Sequence, residues 1–186
     1  MTEKTTSMPV GVVIRKTPGV TRWAKWSWRA VALLPGAGPA DWRELRREGD
    51  AVEYHAATVE VEMHRAETEA YRVALSDEPP SAFVILRPSE DPEADEEFKV
   101  FSITVSPFEA QDYADSGEEL VERVPMPPAL IAWVSDFVER HHVEEVFVKR
   151  KRDKKRIDLV EDGIGDERIR QTADVYRAPT SKRKIH

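Results

Sequence analysis

Apolar and polar residues alternate along most of this chain, and a three- and four-residue apolar spacing is clear only in one late segment. Val10–Lys16 is rich in β-branched residues and stops at Thr17-Pro18-Gly19, which predicts a first strand. Trp28–Leu34 alternates and ends at Pro35-Gly36, a second strand. Ala40–Glu48 reads as a short helix, with Gly49 where helices often turn left-handed. Val52–His64 is the clearest strand: Val59, Val61 and Met63 point one way, Thr58, Glu60, Glu62 and His64 the other. Tyr71, Val73 and Leu75 alternate again and are read as its hairpin partner. The competing reading is a helix over Ala66–Leu75, because Ala, Glu and Arg favour helices.

Ala82–Arg87 is apolar on both faces, as a central strand would be, and Pro88 ends it. Phe98–Val105 follows, with Phe101, Ile103 and Val105 on one face. Ser106-Pro107-Phe108-Glu109 carries the residues of a capping box with proline at the first helical position, and Gly117 closes that helix. Glu118–Val124 is a short strand, closed by Pro125-Met126-Pro127-Pro128. Leu130, Trp133, Val134, Phe137, Val138 and His141 then place one apolar stripe on a final helix. Strands first, then strand–helix–strand–helix without long crossovers, predict an α+β domain. Its expected form is a curled, largely antiparallel sheet of six to seven strands packed by the C-terminal amphipathic helix.

Charge divides the chain at Val148/Lys149. Residues 1–148 hold 15 Lys+Arg against 28 Asp+Glu, a net of −13; residues 149–186 hold 13 against 7, a net of +6. The expected organisation is a globular domain over 1–148 and a basic, mostly disordered tail over 149–186. A body of about 150 residues can bury roughly 68–70% of its unfolded surface, enough for one core. The chain has no cysteine, which excludes disulfides, thiol nucleophiles, all-Cys zinc sites and thiolate-held iron–sulfur clusters. The longest uncharged apolar stretch, Ala30–Ala40, is broken by prolines and glycines and falls short of the roughly 20 residues that span a bilayer. Val10–Ile14 is too short for a signal segment. The expected location is cytoplasmic, with no membrane partner.

Few residues carry candidate chemistry. Trp23, Trp26 and Trp28 are interleaved with Arg22, Lys25 and Arg29, a mixture that stacks on bases or binds a partner surface when exposed and anchors a core when buried. Pro35-Gly36-Ala37-Gly38-Pro39 lacks the endings of phosphate- and dinucleotide-binding loops and reads as a turn. Glu90–Glu97 holds six acids in eight residues but lacks the glycine of a calcium loop, and reads as a solvated loop with the charge to fold back onto the basic tail. The histidines, His55, His64, His141, His142 and His186, are not at zinc-binding spacings. No nucleophile elbow and no pair of contrasting carboxylates appears, so no enzyme, cofactor or metal is expected. The run Lys149-Arg150-Lys151-Arg152-Asp153-Lys154-Lys155-Arg156 attracts phosphate or acidic protein, and the spaced apolar residues beyond it, Tyr176 among them, suit folding onto a partner. Trp23, Trp26, Lys149, Arg150, Lys151, Arg152, Lys154, Lys155, Arg156 and Tyr176 are therefore the candidate partner-binding residues.

Met8-Pro9-Val10-Gly11-Val12-Val13, Trp28–Ala37, Val105–Gly117, and Val124-Pro125-Met126-Pro127-Pro128 with Trp133 together resemble a proteobacterial domain-of-unknown-function family (DUF3305) over about residues 8–145. Genes of that family tend to lie beside those that mature molybdenum-dependent formate dehydrogenase. The resemblance implies an accessory role there, with a formate dehydrogenase subunit or maturation factor as protein partner. It implies no catalytic residues. The alternative is a nucleic-acid-binding protein using Lys149–Arg156.

Overall fold

The structure is a computed structural model, and it describes residues 4–144. These belong to the first of two units into which the chain divides, Met1–Glu144. The basic run, Tyr176 and the tail expected over 149–186 lie outside the described residues.

Seven strands and three helices run in the order β1 (Thr5–Pro18), β2 (Trp26–Pro35), β3 (Asp41–Glu48), β4 (Ala51–His64), α1 (Thr68–Ser76), β5 (Ser81–Pro88), β6 (Phe98–Thr104), α2 (Pro107–Ser116), β7 (Leu120–Pro125) and α3 (Pro128–His141). All strand pairs are antiparallel. The α+β class and the strand number agree with the sequence reading; the single sheet does not. The strands form two sheets, β2-β1-β4-β3 and β6-β5-β7. The break falls at α1. Tyr71 does not continue β4 as a hairpin partner, because the chain coils through a short 3-10 turn at Arg65–Glu67 into a helix. Ala70, Tyr71 and Ala74 then share its buried face. The Tyr71 hydroxyl ties the helix back to β4, accepting from the His64 amide at 2.9 Å and donating to Glu67 at 3.3 Å. Burial pushes the Tyr71 phenol pKa upward, so it stays protonated.

Residues 40–48 correct a second reading. They form β3, an edge strand, and not a helix. Six of its eight residues are charged, which suits a strand whose outer edge faces water. The two-residue loop Gly49-Asp50 joins it to β4; Gly49 alone has a positive φ (60°), the pattern of a II′ turn. Gly49 thus serves a hairpin and caps no helix.

One cluster makes the core. The first sheet contributes Val10, Val12, Ile14, Leu33, Val61 and Met63; the second contributes Ala82, Val84, Leu86, Ile103 and Val124; Tyr71 and α3's Leu130, Val134 and Phe137 join them. Of the stripe expected on α3, Leu130, Val134, Phe137 and Val138 are buried, and Trp133 and His141 are half-buried. On β5, Ile85 lies outside this cluster yet is fully buried, as is Ala110 of α2, which packs on the second sheet. That is why 82–87 is apolar on both faces. Each sheet ladder but β5–β7 carries a register shift. The one in β6 leaves Phe101 without a partner, because Ser102 faces Ile85 and Val100 faces Leu86. Phe101 is therefore turned outward, away from the face expected for it. Its ring sits under Arg87 (Cζ 3.3 Å from the centroid) and edge-on to Tyr113.

The start of α2 is half of the expected capping box. Ser106 Oγ accepts from the Glu109 amide at 3.3 Å. The Glu109 carboxylate does not reach back to Ser106. Thr104 stands between them: its hydroxyl accepts from the Ser106 amide (3.0 Å) and donates to Glu109 (2.5 Å). Gly117 ends the helix in the left-handed region, as expected.

Candidate contact surface on the first hairpin

The β1–β2 hairpin separates the three neighbouring tryptophans. Trp26 and Trp28 are two apart on β2 and share a face. Trp28 is buried; Trp26 is half-buried and packs on the core. Lys16 of β1 lies across from Trp28 and sets its Nζ 4.6 Å from the Trp26 ring and 4.7 Å from the Trp28 ring. The row continues edge-to-face through Trp42 (5.6 Å from Trp28) to Tyr54 (5.9 Å from Trp42). Trp42 reaches its place with φ +45°, the one positive φ outside glycine among the described residues. The Trp28 indole N–H is buried without a partner.

Trp23 differs. It lies in the hairpin loop and is 93% exposed, and Val20 beside it is 98% exposed. The loop is drawn closed by the Gly19 amide donating to Lys25 O at 3.0 Å and the Ala24 amide donating to Thr21 Oγ1 at 3.3 Å. A side chain at Gly19 would collide with the Ala24 carbonyl, so the closure requires glycine there. β4 stops pairing with β1 at Lys16, and the hairpin runs on alone from that point.

Charge singles out the same hairpin. Residues 4–40 contain Lys4, Arg15, Lys16, Arg22, Lys25 and Arg29 and no acid, a net of +6 inside a body of net −13. Near the hairpin's loop end Glu53, Glu48 and Glu44 are taken by Arg15, Arg46 and Arg47, while Asp50 of the β3–β4 turn forms no ion pair among the described residues. Lys16, Arg22, Lys25 and Arg29 form no ion pair with a described acid. This acid-free stretch was countable from the sequence; the separation of Trp23 from its neighbours by the loop was not.

His55 and His142 make hydrogen bonds that tie segments of the fold together. His55 of β4 is 2% exposed on the face of the first sheet that carries Gly11. The Thr58 hydroxyl donates to Gly38 O at 2.7 Å, so its oxygen must accept from His55 Nε2–H at 2.8 Å. That fixes the tautomer: Nδ1 carries the bare lone pair, and it is buried without a partner. Burial, reinforced by the Arg43 charge, lowers the His55 pKa. The turn Pro35–Pro39 is thus a lid pinned over a neutral histidine and holds no phosphate loop. His142, where α3 ends, bonds Thr68 Oγ1 through Nδ1 (3.1 Å) and meets Arg72 at Nε2 (2.7 Å), joining α3 to α1. His141 stacks on Phe137 at 4.6 Å, and His64 lies 3.7 Å from Glu62. Among the described residues no three His, Asp or Glu converge as a metal site.

Two open depressions lie elsewhere. One of about 390 Å³ is lined by Glu109, Asp112, Tyr113, Ser116, Glu118 and Glu119; another of about 490 Å³ is lined by Lys4–Ser7 and Glu62. The first is acidic, and Glu119 in it is held to Ser116 and Arg87, which keep its carboxyl below the usual range. The Ser116 hydroxyl there donates to Glu119 at 2.6 Å and accepts from the Glu118 amide at 3.3 Å, which ties down the turn after α2. Residues 90–97 form the β5–β6 loop, closed at its base by the Ser89 amide donating to Glu97 O at 2.8 Å.

Two antiparallel sheets, a core continuous between them and a cationic hairpin with an apolar tip define a small α+β domain. The chain belongs to the family described as protein of unknown function (DUF3305), whose model matches residues 9–151. No curated protein and no solved structure matches it. No helix among the described residues is long and apolar enough to cross a membrane.

Proposed function

We propose that this protein is a non-catalytic accessory module that works by contact in the cytoplasm, assisting assembly or maturation of a molybdenum-dependent formate dehydrogenase. The observation that carries this reading is where the polar groups go. His55, His142 and Glu109 are each consumed by structural hydrogen bonds, while cations are left over on the hairpin and concentrated in Lys149–Arg156. Polar groups bonded within the fold hold it together; leftover cations recognise an acidic surface. The proposed partner is a formate dehydrogenase subunit or maturation factor with an acidic face. The basic run is the handle for it, and Tyr176 beyond the run is a contact made on binding. The formate dehydrogenase link comes from the family resemblance alone.

Purification of the tagged full chain and of a 1–148 truncation from the native cells tests this. A formate dehydrogenase component enriched with the full chain and depleted with the truncation supports it. No such component with either form removes it. The seven cations of the run also suit nucleic acid. A gel-shift series across salt separates the two, because phosphate contacts make affinity fall steeply as salt rises.

A further inference from the structure

We propose that the tip of the β1–β2 hairpin docks the protein onto an anionic lipid surface. Val20 and Trp23 enter the interfacial layer, and Arg22 and Lys25 beside them face the headgroup phosphates. This goes beyond the accessory role and does not rest on it.

Three observations meet at the tip. First, its two apolar side chains are 98% and 93% exposed, so water surrounds them on nearly every side. Trp is favoured at membrane–water interfaces, where its ring is half in the apolar layer and its N–H stays wet. Second, the loop and the strands leading into it carry only positive charge, and Glu53, Glu48 and Glu44 near its base are paired with Arg15, Arg46 and Arg47, which leaves Asp50 of the β3–β4 turn as the unpaired acid there. Third, the tip overhangs. Thr17–Gly19 carry it about 10 Å past Lys16 at ~3.3 Å per residue, where the hairpin has left β4. That exceeds the Debye length of about 8 Å at physiological salt, so the body's net negative charge acts weakly there.

The shape decides among anionic partners. A stable protein interface buries about 800 Å² per partner around central anchors, and hot spots sit inside a sealing ring. A convex loop tip with two protruding apolar residues offers no such ring, and no described depression is lined by it. A bilayer needs no matching pocket. Single-stranded nucleic acid stacks successive bases on successive rings. Here Trp23 alone presents free faces, because Lys16 covers Trp26. Lying on a bilayer requires no spanning helix, and none is present among the described residues.

The test uses the full chain and two sets of vesicles: phosphatidylcholine alone, and phosphatidylcholine with phosphatidylglycerol in equal parts. Binding is read by co-sedimentation, and insertion by quenching of tryptophan emission with brominated lipid. The expected result is binding and quenching on the anionic vesicles. Trp23→Ser should weaken binding on the order of tenfold to a hundredfold, the range for withdrawing part of a Trp surface from water, and remove the quenching. Arg22→Ala and Lys25→Ala should each weaken it about fivefold. Trp23→Phe should keep binding while losing the quenched signal. Trp23 is exposed, so unchanged thermal melting confirms that each variant folds. Binding that survives Trp23→Ser without change, with no quenching, means that the basic run holds the vesicle by charge alone and overturns the proposal. So does no binding, or a Trp23 response to an oligothymidine strand with none on vesicles.

Discussion

Gly11→Ala puts the His55 relay under direct strain. Gly11 lies on β1 against the His55 ring. A methyl group there would overlap His55 Nε2 well inside contact distance and stand 3.1 Å from the Ala37 Cβ. Relief requires the imidazole to move by roughly 1 Å, the response expected of an overpacked core. The ring has little room, because Nε2–H is bonded to Thr58, and Thr58 to the 36–39 turn. Overpacking of this kind costs about 1–3 kcal/mol, and stranding the buried N–H adds about 1–3 kcal/mol. The expected destabilisation is about 3 kcal/mol. For a body of this size that lowers the melting temperature by about 10 °C. Urea denaturation of the full chain, followed by far-ultraviolet circular dichroism, measures it. His55→Ala removes the obstacle, so Gly11→Ala in that background should cost under about 0.5 kcal/mol, a coupling of about 2–3 kcal/mol in the cycle. A single Gly11→Ala effect below about 0.5 kcal/mol, or two effects that simply add, refutes the reasoning.

Three further outcomes follow from the same structure. The native pKa of His55 lies below its ordinary value of 6.5, so the unfolded chain binds the proton more readily. The stability this contributes is complete above about pH 6.5 and is lost as pH falls below it. His55→Gln should flatten that acid-side fall in melting temperature, and an unchanged pH profile would contradict the assignment. Ser106→Ala removes the α2 cap and should cost about 1 kcal/mol by urea midpoint, a loss that Ser106→Thr should largely spare. Phe137→Ala empties the contact with Tyr71 (6.2 Å between centroids) and should cost about 3–5 kcal/mol, measured the same way.

Much of the fold was legible because burial follows periodicity. Val10–Lys16, Val52–His64 and the α3 stripe each show a face that matches the core they meet. The failures share a cause in tertiary context. Asp41–Glu48 has the composition of an exposed helix, and only pairing to β4 makes it an edge strand. Tyr71, Val73 and Leu75 alternate by coincidence, since the buried set is Thr68, Ala70, Tyr71 and Ala74. The division into two sheets depends on which strands meet, and nothing local states that. At the hairpin, Trp26 and Trp28 could be paired on one face by their spacing, whereas Trp23's exposure depends on where the strand ends. The His55 relay joins Gly11, Gly38 and Thr58 across three segments, and neither capping nor motif spacing signals it.

The claim that this protein acts by contact meets its most direct test in titration calorimetry. The purified full chain would be titrated against a purified formate dehydrogenase subunit or maturation factor at low and at physiological salt. The account predicts saturable binding that weakens as salt rises and is lost when the chain stops at Val148. Heat-silent mixing with every such component, or binding of equal strength with and without residues 149–186, would contradict it.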